Sequence, residues 1–193
     1  MTYQETEGLL SPQIRNIRLS KVAEKIEKES NVLDLACGAG YLASYLPEGC
    51  QYFGVDRILM PNDREKSTSF LNLDLLEKGA TDVISEKLPM KMDYIVCVAF
   101  LEHIPSPTNF LSKHKAHLTK GGVIVGTTPH PRGRIVHEIL SSLSILSREA
   151  AHEHEDFLGK KKIEEMALGS GGHLVTYETF LFGMNQLFVI EYP

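Results

Sequence analysis

V-L-D-L-A-C-G-A-G-Y-L-A, Val32 to Ala43, is the stretch on which the fold turns. A continuous apolar run, Val32 to Leu35, reads as a buried strand. It breaks into a turn and resumes as a short helix to about Leu46, where Pro47 and Gly49 stop it. Gly38 and Gly40, one residue apart, let the backbone pass close to a ligand. With Ala43 they also satisfy the G-x-G-x-x-A dinucleotide pattern, so the glycines alone do not choose the ligand.

Working outward, Ser11-Pro12 opens a helical pattern with Ile14, Ile17, Val22 and Ile26 on one face. Gln51 to Val55 reads as a second strand ending at Asp56, and Ser69 to Leu73 as a third, followed by a polar helix through Glu86. Met92 to Ala99 has the β-rich apolar character of a strand covered on both faces. Asn109 to Leu118 is an amphipathic helix closed by Lys120-Gly121-Gly122, and Val123 to Thr128 is a fifth strand. This alternation implies a parallel sheet with right-handed crossovers. Leu174 to Phe182 and Leu187 to Tyr192 are separated only by Gly183-Met184-Asn185-Gln186, which permits an antiparallel hairpin and excludes a helical crossover. The fold expected is a three-layer, doubly wound α/β domain. Its seven-stranded sheet is mostly parallel, with an antiparallel last strand.

The chain of 193 residues is sized for one domain, 1–193, with residues 1–30 as an N-terminal helical cap. A net charge of −5, with acids and bases interspersed, gives no basic patch for nucleic acid or an anionic membrane. The first thirty residues hold no apolar signal core and no stretch able to span a bilayer. Cys37, Cys50 and Cys97 make no C-x-x-C pair, which argues against a disulfide framework or zinc knuckle. A cytoplasmic protein is expected.

In open α/β sheets ligands bind beyond the carboxyl ends of the strands. Asp34 lies four residues before Gly38. A carboxylate there opposes a pyrophosphate but suits an ammonium or a sulfonium. Asp56, 18 residues after Gly38, stands where an acid accepts ribose hydroxyls. NAD and S-adenosylmethionine both carry that ribose, so Asp56 does not separate them. Asp74, after the third strand, is placed to accept the exocyclic amine of an adenine.

These features together resemble the class I S-adenosylmethionine-dependent methyltransferases over nearly the whole chain. The resemblance is carried by D-L-A-C-G-A-G at 34–40, Asp56, Asp74, F-L-E-H-I at 100–104 and Gly121-Gly122. The family's loop is usually D/E-x-G-x-G-x-G, and Ala36 stands at its first glycine. The resemblance implies S-adenosylmethionine as cofactor, with Gly38 and Gly40 against its methionine part and Asp34 orienting its amino group. Asp56 would bind the ribose with Arg57 beside it. Asp74 and the backbone of Leu75 would contact adenine, and Ala99 would line the methyl-donor channel.

Methyl transfer from a sulfonium is an in-line displacement, for which alignment and exclusion of water supply most of the catalysis. A general base is needed only where the acceptor must lose a proton. His103, after the fourth strand, and His130, after the fifth, are the candidates. Residues 129–172 carry no strand signal and are expected to form a lid and acceptor segment. Within it, Ile135 to Leu146 is apolar and helical, and Arg132 and Arg134 are candidates to clamp an anion. His152-Glu153-His154-Glu155-Asp156 does not present one helical face, so no metal site is expected. The region after strand four lacks the N/D-P-P-aromatic sequence of amino-methylating enzymes and a proline-cysteine nucleophile. The expected acceptor is a small molecule: a metabolite, a sugar, or a lipid or quinone precursor. A homodimer is left open. Two other readings stand beside this one: a nicotinamide-dependent oxidoreductase, and a catalytically silent S-adenosylmethionine-binding partner subunit.

Overall fold

The computed structural model describes residues 11–58, 68–131 and 158–193. β1 (Asn31–Leu35) is buried from Val32 onward, as a central strand must be. It pairs in parallel with β2 (Gln51–Asp56) and β4 (Met92–Val98), placing Asp34 between Gly54 and Val96. β3 (Thr68–Asn72) extends β2, and β5 (Leu118–Pro129) extends β4, all in parallel. β7 (Asn185–Glu191) runs antiparallel to both β5 and β6 (His173–Phe180). The order is β3-β2-β1-β4-β5-β7-β6. The seven-stranded, mostly parallel sheet with a reversed β7 is therefore as expected. Strand order reverses between β1 and β4, which makes their carboxyl ends the crevice of the fold.

Alternation along the strands sends side chains to two cores. Leu33 and Leu35 meet Ile84 of α2 (Ala80–Lys87), Phe110 and Leu111 of α3 (Pro107–His114), and Ile163 and Met166 of α4 (Lys160–Ser170). Val32 faces the other way, toward Leu19 and Val22 of α1 (Ser11–Ala23), with Ile26 and Leu42. Helices on both faces make the three layers. Of the expected apolar face, Val22 in α1 and Ile26 beyond its end are buried, whereas Ile17 is 38% exposed and Leu19 takes the inward position. Among the described residues no helix is long and apolar enough to cross a membrane.

The short helix expected after the glycine loop is a 3-10 helix, Tyr41–Tyr45. Three local expectations change. α3 ends at His114 and continues as a 3-10 turn, Lys115–His117. Lys120, Gly121 and Gly122 belong to β5, where the pairing shifts register between Met92 and Tyr94. Asn185 and Gln186 lie in β7, not in the hairpin turn, because both polar side chains find partners inside the protein. Asn185 Oδ1 accepts a 2.7 Å hydrogen bond from Arg18 Nε. Gln186, wholly buried, donates to Thr128 Oγ1 and to the Pro129 and Leu158 carbonyls, and accepts from the Tyr177 hydroxyl.

Candidate functional site

The loop after β1 is built from left-handed backbone. Ala36, Gly38 and Gly40 have φ of 62°, 53° and 65°. Glycine takes this conformation without a side-chain clash, whereas alanine takes it under strain. Across the switch point Ala99, directly after β4, has φ of 49° and donates its N–H to the Thr127 carbonyl at 2.8 Å. Two strained alanines thus flank the crevice on its two central strands, the kind of placement where strain collects at binding sites. A Cβ on Gly38 would meet nothing within 4 Å, so the loop presents bare backbone to open space.

The loop is fastened to β2. Cys37 N–H donates to the Val55 carbonyl at 3.1 Å. A Cβ on Gly54 would lie 2.8 Å from both Cys37 Sγ and the Phe70 ring, so glycine there permits the loop to sit on the sheet. Cys37 fills that contact. Asp56 Oδ2 accepts the Gly38 N–H at 2.7 Å, and Oδ1 accepts the Ile58 N–H at 2.9 Å. A carboxylate offers about four acceptor positions, so two bonds leave capacity for two ribose hydroxyls. Arg57 beside it is exposed, and its carbonyl accepts from Asn72 Nδ2 at 3.0 Å.

Asp34 is 3% exposed, on the α1 face of the sheet. Its Oδ2 accepts the Tyr52 hydroxyl proton at 2.7 Å. Burial pushes the Asp34 carboxyl up to about 7, against a lowering by the Tyr52 hydrogen bond and with a further rise from the Asp56 charge. Its negative charge is therefore partial near neutrality, and the case against a pyrophosphate rests less on that charge than its place in the sequence implies. Tyr52 is missed by reading motifs. It precedes Gly54, the register partner of Asp34, by two residues, so the two side chains share one face.

Asp74 Oδ1 accepts the Leu76 N–H at 2.9 Å, an Asx turn that shapes the loop after β3. The Leu75 side chain is buried in the core, which leaves its backbone for any contact with a base. Of the turn after β4, Leu101, Glu102 and Ile104 are buried while His103 is exposed. His130, half-buried at the end of β5, donates its backbone N–H to the Met184 carbonyl at 2.8 Å. On α1, Arg15 lies 4.2 Å over the Tyr41 ring, tying the helix to the glycine loop. Arg132, Arg134, the Ile135 to Leu146 stretch and His152 to Asp156 lie outside the described residues. Among the described residues no group of three His, Cys, Asp or Glu is placed to hold a metal.

A family model for a methyltransferase domain matches residues 13–175. The ubiquinone biosynthesis O-methyltransferase of Vibrio atlanticus is 28% identical over 173 residues, covering 84% of this chain and 73% of that protein. Among solved structures, the methyltransferase bound to the Haloferax volcanii Trm112 activator aligns with a TM-score of 0.64 and 17% identity, over 94% of this chain and 92% of that one. The N-methyltransferase NodS from Bradyrhizobium japonicum, in complex with S-adenosylhomocysteine, aligns at 0.60 and 14% identity, over 99% and 91%.

Proposed function

The chain belongs to the class I S-adenosylmethionine-dependent methyltransferases, and from that premise we propose that it methylates a hydroxyl oxygen of a small acceptor. The family match sets aside the oxidoreductase reading of the glycine loop. The hydroxyl is supported by relatives named as O-methyltransferases that cover most of this chain.

The observation that carries the assignment of the crevice is the cradle at the switch point. Bare loop backbone at Gly38, strained Ala36 and Ala99, and two acids, Asp34 and Asp56, converge on the carboxyl ends of β1, β2 and β4. S-adenosylmethionine supplies, when bound, a methyl carbon already activated by the sulfonium. Asp34 would hold the amino group and Asp56 the ribose hydroxyls, while the existing bond from Gly38 N–H to Asp56 keeps the loop in place for the methionine part. Asp74 and the Leu75 backbone would contact the adenine, with Arg57 beside the ribose.

With the cofactor held there, the residues at the carboxyl ends of β4 and β5 would bring the acceptor oxygen into line with its activated methyl carbon and keep water out. The hydroxyl proton passes to a base, for which His130 and His103 are the candidates at the ends of β5 and β4. Bringing donor and acceptor into line contributes up to about 7–11 kcal/mol toward lowering the barrier. The test is transfer of a labelled methyl group from S-adenosylmethionine to a panel of phenols, catechols, sugars and amines. Methylation of hydroxyl compounds supports the reading. Methylation of amines alone overturns it.

A further inference from the structure

The hairpin joining β6 to β7 turns through residues 181–184, at the carboxyl end of the sheet. Leu181, Phe182 and Gly183 have φ of 50°, 55° and 78°. Gly183 N–H donates to the Phe180 carbonyl at 3.1 Å, and Met184 N–H to the Leu181 carbonyl at 3.0 Å. The result is one turn of left-handed backbone, in which a Cβ crowds the following carbonyl oxygen. Asn-Gly is the usual pair where both central turn residues have positive φ, yet here Leu181 and Phe182 hold those places.

Phe182 is also fully exposed, whereas Leu168, the next most exposed large apolar side chain among the described residues, is 63% exposed. Residues 179–187 carry no charge. A strained backbone and an uncovered ring in one residue oppose stability twice, and such strain collects at ligand sites. One side chain is too little for a stable protein interface, which buries at least about 1,000 Å². The place of the turn points to a smaller occupant. The Met184 carbonyl accepts the backbone N–H of His130, the candidate base at the end of β5. Phe182 lies two residues from Met184, at most about 7 Å along the chain.

Strand spacing sets the reach an acceptor needs. From β4 the sheet continues to β5, β7 and β6. At about 4.8 Å per strand, the turn between β7 and β6 lies roughly 10–12 Å across the sheet from the end of β4. An acceptor with one ring at the end of β4 does not cover that distance, whereas one with further rings does. Aromatic rings pack with their centroids about 4.5–7 Å apart, which brings a second or third ring within reach of Phe182. We propose that Phe182 is a specificity-determining residue for the acceptor. Its ring packs on the far ring of a planar multi-ring phenol whose reacting hydroxyl lies at the end of β4. The proposal rests on the methyl-transfer reading above and adds to it an acceptor class and the residue that selects it.

The chain contains no tryptophan, so Phe182→Trp in the whole chain, grown with fluorotryptophan, carries a single ¹⁹F resonance at the turn. With S-adenosylhomocysteine present, quercetin shifts that resonance saturably and catechol does not. Phe182→Ala raises the KM for quercetin about tenfold relative to that for catechol, with S-adenosylhomocysteine affinity unchanged. Leu181→Asn combined with Phe182→Gly, a pair suited to the turn, unfolds at higher temperature and shows the same rise in KM. An unmoved ¹⁹F resonance overturns the proposal, as does an unchanged KM ratio in Phe182→Ala. A resonance moved by phosphatidylcholine vesicles or by raised protein concentration, and not by quercetin, also overturns it. A saturable quercetin shift without methyl transfer supports the ligand contact and overturns the reaction assigned to it. Methyl transfer to quercetin with an unmoved resonance overturns the contact and leaves the reaction standing.

Discussion

The Tyr52 hydroxyl donates a 2.7 Å hydrogen bond to Asp34, and both residues are buried beneath α1. The groups that act on Asp34 are Tyr52 and Asp56 on β2, and Asp34 in turn acts with burial to push the Cys97 thiol of β4 up. If the Asp34 carboxylate binds the ammonium of the cofactor, S-adenosylhomocysteine affinity falls as pH drops through about 7. Tyr52→Phe removes the contribution that lowers the Asp34 pKa, so the fall moves to higher pH. Titration calorimetry between pH 5.5 and 8.5 reads both midpoints. Coincident midpoints in the two proteins contradict a positioning role for Tyr52.

The same pair costs stability. Asp34 has a folded-state pKa raised above its unfolded value, so the folded chain binds more protons between about 4 and 7. Its contribution is fullest below pH 4 and is lost as pH rises through 7. Buried His114 and His117, with pKa values lowered by burial to about 3 and about 4, act in the opposite sense over an overlapping window. The wild-type profile is therefore flattened, and the difference between wild type and Asp34→Asn isolates the carboxyl. The variant gains in urea stability relative to wild type between pH 4.5 and 7.5. A difference independent of pH contradicts this.

Ala36 stands where the loop turns left-handed, with φ of 62°. Relief of about 1–2 kcal/mol of strain in Ala36→Gly is offset by about 0.5–1 kcal/mol of additional unfolded-chain entropy. The expected outcome is equal or slightly higher stability with cofactor affinity retained. Ala36→Val, whose branched side chain tolerates this conformation poorly, loses both. A destabilised Ala36→Gly in thermal unfolding contradicts the strain assignment.

Gln186→Leu removes the donor that bonds Thr128 Oγ1 and the Leu158 carbonyl, both inside the protein. At about 1–3 kcal/mol for each buried group left unmade, the two buried bonds give a loss of about 2–6 kcal/mol. Urea unfolding measures it, and a loss below about 1 kcal/mol contradicts the network.

His103→Ala or His130→Ala lowers turnover more than S-adenosylhomocysteine affinity. Unchanged turnover in both variants rejects a histidine base.

The strands were legible because continuous apolar runs and Gly/Pro punctuation report burial and turns locally. Asp56 was legible because its distance from Gly38 follows from the length of one βαβ unit. What was not legible depends on contacts between distant segments. Asp34 and Tyr52 meet only through the β1–β2 register, and Gln186 reads as a turn residue until its four partners are seen. Glu102 and His103 are adjacent in F-L-E-H-I, yet one is buried and the other exposed. That choice is made by the 3-10 turn Leu101–His103 and its packing against β5, which the motif does not report. The Asx-turn bond of Asp74 likewise shows how an acid placed for a ligand can also serve its own loop.

The central claim is that the loop 36–40, held by Asp56, forms the methyl-donor site. Calorimetric titration of S-adenosylhomocysteine into the wild-type chain and Asp56→Ala tests it most directly, with NAD as a control. One charge-assisted hydrogen bond of about 1.5–3 kcal/mol corresponds to at least about tenfold in affinity. The account predicts saturable single-site binding to wild type, weakened tenfold or more in Asp56→Ala, and no binding of NAD. Equal affinity in a folded Asp56→Ala, or tighter binding of NAD than of S-adenosylhomocysteine, would contradict it.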